Sequence, residues 1–503
     1  MRFRVLASSL AMLLHVLPSS AAEPTVVSPT AATDSLSERL DRAMALAGAD
    51  DVAQATVALA GVIGDPAFPA LPDDKRNAAY LDAAWMAIRS GDLPRARDLY
   101  RSATGIDPDA PDAWYHLSLI EHDLGNHEPA AEHLLTLLSV RPDTLENLSE
   151  QHISVLIHKL DHSSPLRLAL LHRLFDLQWS RKGLGADSLW YELALLHVER
   201  GELEAAKVAI DSVHTPVEVI KMRADRRFDG LVDPGSPRFD VLRIANAHAD
   251  NLRVKAMLDP ERLDVLMELT YALLVLDRAD EVLTMTDAAL ALIEASGPEG
   301  TMFESMADRV WLMNNRAIAL RRMQRTDEAL EQMLVASTLE EDGQPNVSQA
   351  LNLGNFYCGL GRADDALDAI APAGAMSGYG RMVQTAVKHC AARLKGDEEA
   401  ADRALAYLRE HRGDSQAIYV AALLEAGRTD EAAAVVIELL NAADTRAEAL
   451  FRAQEFLHPE PLPADGTRIE RQRALYRRQD VRAVIDRVGR VEQQPIHADT
   501  DLR

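Results

Sequence analysis

Apolar and small residues between positions 77 and 144 repeat with a fixed spacing. In each half of this stretch an aromatic residue, a small residue, a glycine, an alanine, an apolar residue and a proline follow in that order. The first set is Tyr80, Ala84, Gly91, Ala96, Ala103 and Pro108, and the second set, 34 residues later, is Trp114, Ser118, Gly125, Ala130, Leu137 and Pro142. A period of this length is typical of stacked helical hairpins.

Each position of the pattern has a physical reason. Glycine readily adopts the left-handed conformation that ends a helix, so Gly91 and Gly125 predict where the first helix of each pair stops. Ala96 and Ala130 follow five residues later, where a small side chain lets two helices approach closely. One hairpin cannot bury its own apolar face, and the hairpins must therefore stack into a solenoid.

The same pattern recurs along most of the chain. The clear copies lie at residues 77–110, 111–144 and 187–217, and further copies lie near 263–296, 310–343, 347–380, 382–412 and 413–446. Residues 145–186 keep two helical stretches but lose the pattern, which predicts a degenerate hairpin.

The order and spacing of these residues, together with the run Asp327-Glu328-Ala329-Leu330, resemble the tetratricopeptide repeat (TPR) family. The resemblance implies an all-α, right-handed superhelical solenoid of helix-turn-helix repeats. We expect two arrays, over residues 34–250 and 251–457. Residues 225–242 hold two copies of the sequence Arg-Phe-Asp-x-Leu and resemble the segment that closes TPR arrays in bacterial proteins. We refer to residues 225–242 as the closing segment.

The end of the chain, residues 458–503, differs from the repeats in charge. Eight arginines lie between Arg468 and Arg490, against three acidic residues in the same stretch. This excess predicts a basic C-terminal capping segment whose arginines neutralise the acidic solenoid. The alternative is an exposed basic helix that docks on a partner.

The first 22 residues predict a secretory signal peptide. Arg2 and Arg4 precede an uncharged apolar run from Val5 to Leu17, and Ser20-Ala21-Ala22 after it is typical of a cleavage site. We expect cleavage after Ala22, a flexible leader over residues 23–33, no stable membrane insertion afterwards, and a periplasmic or secreted protein. An uncleaved anchor is the alternative, and the shortness of the apolar run argues against it.

The composition limits the class of partner. The formal net charge is −25, with 78 Asp and Glu against 53 Lys and Arg. Such an excess of carboxylates repels nucleic acids and anionic membrane surfaces, so we expect no nucleic-acid partner.

Few residues indicate chemistry. His158 and His162 have the spacing of two metal ligands on one helical face, but no third ligand is placed, and we predict no metal and no cofactor. The glycine-rich residues 373–380 lack the lysine and the preceding strand of a phosphate-binding loop. We therefore predict a non-enzyme, the alternative being an unrecognised active site in residues 145–186. Cys358 and Cys390 are expected to be buried thiols, although a disulfide is open to them in an oxidising compartment.

The resemblance also implies a binding face. In TPR proteins the first helix of each repeat lines a concave groove, and the matching positions here are Asn314, Asn315, Arg321, Arg322, Asn352 and Asn355. Val383 and Val387 stand where a clamp for a free C-terminus would need basic residues. We predict that replacing Asn315 and Asn352 by alanine weakens partner binding and leaves folding intact.

These expectations favour a non-catalytic scaffold that binds a protein or peptide in the groove of its TPR arrays. The alternative is an accessory factor for envelope assembly or polysaccharide export that meets a glycan. Such a role would need aromatic side chains along the groove, and the candidates are Trp85, Tyr115, Tyr191 and Trp311.

Overall fold

A computed structural model describes residues 35–49, 51–296, 303–341 and 344–498, without the side chains of residues 341 and 344–345. The predicted signal peptide, the leader and the last five residues lie outside this described part. The chain divides into two compact units, residues 35–193 and residues 194–498. Both units are built from helices that follow one another as hairpins.

The unit of residues 35–193 contains eight helices and the first part of a ninth. They are α1 (Leu36–Gly48), α2 (Val52–Ile63), α3 (Asp73–Arg89), α4 (Leu93–Ile106), α5 (Pro111–Asp123), α6 (His127–Val140), α7 (Glu150–Lys159), α8 (Pro165–Asp176) and α9 (Asp187–Arg200). Short 3-10 helices form at Phe68–Ala70 and Pro142–Asn147.

The unit of residues 194–498 begins with the end of α9. Its helices are α10 (Leu203–Asp211), α11 (Pro216–Ala224), α12 (Val241–Leu258), α13 (Leu263–Val275), α14 (Ala279–Ser296), α15 (Arg309–Arg322), α16 (Thr326–Thr338), α17 (Val347–Gly359), α18 (Ala363–Ile370), α19 (Gly378–Lys395), α20 (Glu398–Glu410), α21 (Gln416–Glu425), α22 (Thr429–Asn441), α23 (Arg446–Arg452), α24 (Gly466–Arg477) and α25 (Gln479–Val488). Strands β1 (Glu340–Glu341) and β2 (Gln344–Pro345) pair antiparallel, and β3 (Glu455–Leu457) pairs parallel with β4 (Gln493–His497). Short 3-10 helices form at Arg226–Phe228, Pro237–Phe239 and Met306–Asp308.

The hairpins end and pack where the sequence pattern predicts. Gly91 and Gly125 have φ of 78° and 81°, and each separates the two helices of its pair. Ala96 and Ala130 are fully buried between helices. Five helix pairs, from α13–α14 to α21–α22, follow one another through the second half of the chain. The prediction of an all-α solenoid is confirmed.

Two hairpins use a non-glycine residue at the helix end. Asp277 after α13 has φ of 61°, and Gln324 after α15 has φ of 63°. These residues occupy the position that glycine has in the clear repeats, so the repeat pattern is harder to recognise there. The left-handed turn is thus kept although the glycine is lost, at some cost in backbone strain.

The division of the chain differs from the predicted boundary after residue 250. The closing segment belongs to the unit of residues 194–498, because it contacts the end of the chain. Arg490 N donates to Ala224 O at 2.9 Å, Asp225 forms a β-bridge with Gly489, and Arg226 donates to Asp486 O at 3.1 Å. The closing segment therefore joins the beginning of this unit to its end.

Residues 458–498, which we call the C-terminal segment, pack against the last repeats. Leu475, Val481 and Ile485 are fully buried in a cluster with α21 and α22. Arg478 pairs with Asp430 of α22 at 2.6 Å. This packing matches a capping role and not a free docking helix. Among the described residues, no helix combines the length and the apolar character that a membrane span requires.

Candidate binding groove

A groove of about 920 Å³ lies inside the unit of residues 194–498. One face of each of α13, α15, α17, α19 and α21 lines it, and the C-terminal segment supplies another part of its wall. These helices are the first helices of successive repeats, which are the helices that the family resemblance implies for a binding groove.

Five of the six predicted site residues line this groove. They are Asn314, Arg321 and Arg322 of α15 and Asn352 and Asn355 of α17. A spacing of three residues in α17, and spacings of seven and eight residues from Asn314 in α15, place them on one face of each helix. Asn352 Nδ2 donates to Asn314 Oδ1 at 3.2 Å, which joins the two helices across the floor of the groove.

Asn315 faces elsewhere. Its side chain is fully buried, and its Nδ2 donates to Met267 O at 3.0 Å and to Thr270 Oγ1 at 2.8 Å on α13. One residue further along a helix turns the side chain by about 100°, and this rotation takes Asn315 from the groove into the contact between α13 and α15. The prediction that Asn315 contacts a partner was wrong, because its side chain joins α15 to α13 inside the protein.

The two predicted arginines are held by backbone carbonyl groups. Arg321 is 4% exposed and donates to Glu460 O of the C-terminal segment at 2.9 Å. Burial lowers the pKa of this guanidinium, and the negative charge of Asp465 acts in the opposite direction. Arg322 donates to Leu274 O at the end of α13. Both cations thus sit near the carboxyl ends of helices, where the helix dipole favours positive charge.

The C-terminal segment runs along the ends of these inner helices. Ala464 N donates to Gly359 O at the end of α17, at 2.9 Å. Arg471 Nη1 donates to Leu424 O and Glu425 O at the end of α21, at 2.8 and 3.0 Å. The side chain of Leu462 lies so close to Gly359 that a Cβ there would be 2.4 Å from Leu462 Cδ1. The arginine excess of this segment is visible in the sequence, but its place in the wall of the groove is not, because the contacts join positions far apart in the chain.

The predicted histidine pair is not on one helix. α7 ends at Lys159, so His158 lies in its last turn and His162 lies beyond it in a turn. The prediction of two imidazoles on one helical face was wrong, because Leu160 adopts an extended conformation. Within the described ranges, no group of three or more His, Cys, Asp or Glu is arranged to hold a metal ion.

Residues 145–186 contain one buried histidine. His152 Nε2 lies 2.8 Å from Ser118 Oγ, and burial, followed by the charge of His122, lowers the pKa of His152 to about 4. Ser118 is fully buried, so its hydroxyl is closed to a substrate. This pair is a hydrogen bond between α5 and α7 rather than the catalytic arrangement that the enzyme alternative would need.

The aromatic residues considered for a glycan site are not gathered in one groove. Trp311 lines the groove described above. Trp85, Tyr115 and Tyr191 belong to the other unit, where Tyr191 is buried and the hydroxyl of Tyr115 accepts from Ser149 N at 2.9 Å.

The other two features singled out in the sequence are structural. Residues 371–377 connect α18 to α19, and Gly378 begins α19, so the glycine-rich stretch is a repeat junction. Cys358 and Cys390 are both buried and form no disulfide with each other, and Cys358 Sγ donates to Val387 O at 3.6 Å.

Comparisons with known proteins give one family match and several similar solved structures. The tetratricopeptide repeat family matches residues 40–111 and 81–143. No curated protein matches the sequence. Among solved structures, the crystal structure of yeast Tom70 aligns with 87% of this chain and 96% of its own, at 13% identity and a TM-score of 0.30. The structure of Naa15/Naa10 bound to HypK-THB aligns over 83% and 70%, at 13% identity and a TM-score of 0.25. The chain thus carries tetratricopeptide repeats in residues 40–143, and its fold is the all-α superhelical fold of such repeats.

Proposed function

We propose that this protein is a non-catalytic scaffold that binds an extended segment of another protein in the groove of residues 194–498. The observation that supports this function is the row formed by Asn314, Asn352 and Asn355 on the inner faces of α15 and α17. A carboxamide both donates and accepts hydrogen bonds, so it can pair with the N–H and the C=O of a peptide backbone. Backbone pairing of this kind gives affinity without a strict demand on the partner's sequence.

The groove also offers apolar surface beside these amides. Trp311 and Tyr379 line it at the amino-terminal ends of α15 and α19, and Val383 lines it one turn further along α19. Aromatic and aliphatic side chains beside a few polar groups are typical of binding sites. An extended peptide alternates its side chains, so one side would meet this apolar surface and the other would face the polar wall.

We also propose that the protein works in the periplasm or after secretion. The support is the sequence alone, namely the apolar run between Arg4 and Ala22. N-terminal sequencing of the protein isolated from the periplasm or the medium should begin at Glu23. A protein that still begins at Met1 in every fraction would overturn this location.

The binding function is tested with end-blocked peptides of about 12 residues, which extend to roughly 40 Å. Fluorescence anisotropy measures the affinity of labelled peptide pools for the full chain and for the double variant Asn352→Ala/Asn355→Ala. We expect the double variant to lose most of the binding, because the amides that hold the peptide backbone are gone.

The matched control is Asn246→Ala, which makes the same chemical change on α12. Asn246 Nδ2 donates within its own helix, to Leu242 O at 2.8 Å, and the residue does not line the groove. Equal binding by the wild type and by both variants would refute a role for the groove amides.

A further inference from the structure

The groove is basic although the protein is acidic. The whole chain has a formal net charge of −25. The residues that line the groove nevertheless include eight Lys and Arg against four Asp and Glu. The groove, where we propose that a partner binds, therefore has an excess of basic residues, whereas the whole chain has an excess of acidic residues.

Two of the four carboxylates that line the groove, Glu448 and Glu425, are paired with other basic side chains. Glu448 lies between Lys221 and Arg452, at 3.3 and 3.0 Å from their nitrogen atoms. Glu425 Oε2 lies 3.2 Å from His389 Nδ1. Glu448 and Glu425 therefore pair with basic side chains outside α24 and do not neutralise the arginines of α24.

Two of those cations project from α24 where it lines the groove. Arg473 and Arg477 are four residues apart, so they lie on one face of the helix. Arg473 is exposed and has no ion-pair or hydrogen-bond partner among the described residues. Arg477 has a side chain that is 74% exposed and makes one long contact, 3.8 Å, with Glu455 of β3. The other arginines of this segment behave differently, since Arg471 is bound to the end of α21 and Arg478 to Asp430.

We propose that the groove takes an acidic extended segment of the partner, whose carboxylates bind Arg473 and Arg477 of α24. This inference rests on the proposed function, because it concerns the same groove. The carboxamides of α15 and α17 hold the backbone of the segment, and the arginines select its side chains. The cations come from outside the repeats, which fits the presence of Val383 at the repeat position that faces the groove.

The arrangement fits carboxylates better than other anions. A guanidinium presents parallel N–H donors that match the two oxygens of a carboxylate. The two arginines are about one helical turn apart, roughly 6 Å. Alternate side chains of an extended peptide are separated by a similar distance, about 6.5 Å, so acidic residues at positions i and i+2 meet both arginines.

The test compares two pools of end-blocked peptides of about 12 residues. The pools share the same apolar positions, but one carries Glu and Asp at the polar positions and the other carries Gln and Asn. The protein is the full chain, and fluorescence anisotropy gives the affinities. We expect the acidic pool to bind about tenfold more tightly at about 50 mM salt, and the difference to shrink at about 500 mM, where exposed charges are screened.

The variant Arg473→Glu/Arg477→Glu tests the two residues. Both side chains are exposed and nearly unpaired, so the change should leave the fold intact, as far-UV circular dichroism would verify. The acidic pool should then bind no better than the neutral pool. Arg403→Glu is the control for charge, because Arg403 is exposed on α20, pairs only with Glu399 in the same helix, and does not line the groove.

The possible failures are distinct. If both pools bind equally well and the double arginine variant changes neither, the acidic preference is overturned while the groove keeps its proposed function. If the control Arg403→Glu weakens the acidic pool as much as the double variant does, the general charge of the protein and not α24 is responsible, and the assignment is overturned. If neither pool binds the wild type, the proposed function and the acidic preference both fall.

Discussion

Asn315 gives the sharpest test of the difference between sequence pattern and structure. The pattern places it in the groove, whereas the structure buries it between α15 and α13, where its Nδ2 donates to Met267 O and Thr270 Oγ1. We predict that Asn315→Ala destabilises the protein by about 2 to 3 kcal/mol. Two hydrogen bonds at about 1 kcal/mol each supply most of this loss, and the small cavity left in a closed site supplies the rest.

The magnitude has an upper limit set by the neighbours. Thr270 Oγ1 itself donates to Met267 O at 2.9 Å, so that carbonyl keeps a partner in the variant. The penalty for a buried unpaired group therefore stays small.

Urea unfolding followed by far-UV circular dichroism measures the loss, and Asn352→Ala is the matched control. Asn352 is partly exposed and makes one hydrogen bond, to Asn314, so its replacement should cost well below 1 kcal/mol. Hydrogen exchange should show the loss of protection in α13 and α15, because repeats in a solenoid contact mainly their neighbours. Equal unfolding midpoints for the two variants would refute the structural role of Asn315.

Two other predictions concern the packing of single residues. Burial lowers the pKa of His152 from 6.5 to about 4, so near pH 5 the unfolded chain binds a proton that the folded chain does not. The free energy of unfolding should therefore fall by about 2 kcal/mol between about pH 7.5 and 5. Urea titrations at both pH values should show that His152→Gln removes this part of the fall. An identical pH dependence in both proteins would contradict the buried neutral state of His152. Gly489→Ala should destabilise the protein by about 1 to 3 kcal/mol, because the new Cβ would lie 2.4 Å from Ala224 O. Gly466→Ala is the control and should be tolerated, because a Cβ at Gly466 would have no heavy atom within 4 Å. Comparable proteolytic resistance of the two glycine variants would count against the close contact at Gly489.

The sequence predicts the hairpins well because their determinants are local. A glycine at the end of the first helix and an alanine five residues later fix one turn and one close approach, and both lie within a single repeat. The repeat survives even where Asp277 replaces the glycine, since the turn geometry is kept. Faces within a helix are less certain, because neighbouring positions such as Asn314 and Asn315 differ by about 100° in direction. A pattern that is shifted by one residue then exchanges a groove position for a core position.

The wall of the groove depends on contacts that no local pattern contains. The arginine excess after residue 458 is plain in the sequence, but its partners lie in α21, α22 and the closing segment. Arg223 reaches Glu492 at 2.9 Å across 269 positions of the chain. Such pairings follow from the number and curvature of the repeats between them, since these decide where the last hairpin arrives. The same contacts have two consequences. The bound arginines of the C-terminal segment close the end of the repeats. Arg473, which has no ion-pair or hydrogen-bond partner among the described residues, adds an exposed positive charge to a groove in which Arg321 and Arg322 of α15 are bound to backbone carbonyl groups. The cap and the selectivity of the groove are therefore two results of one segment, and variants of its exposed arginines can separate them.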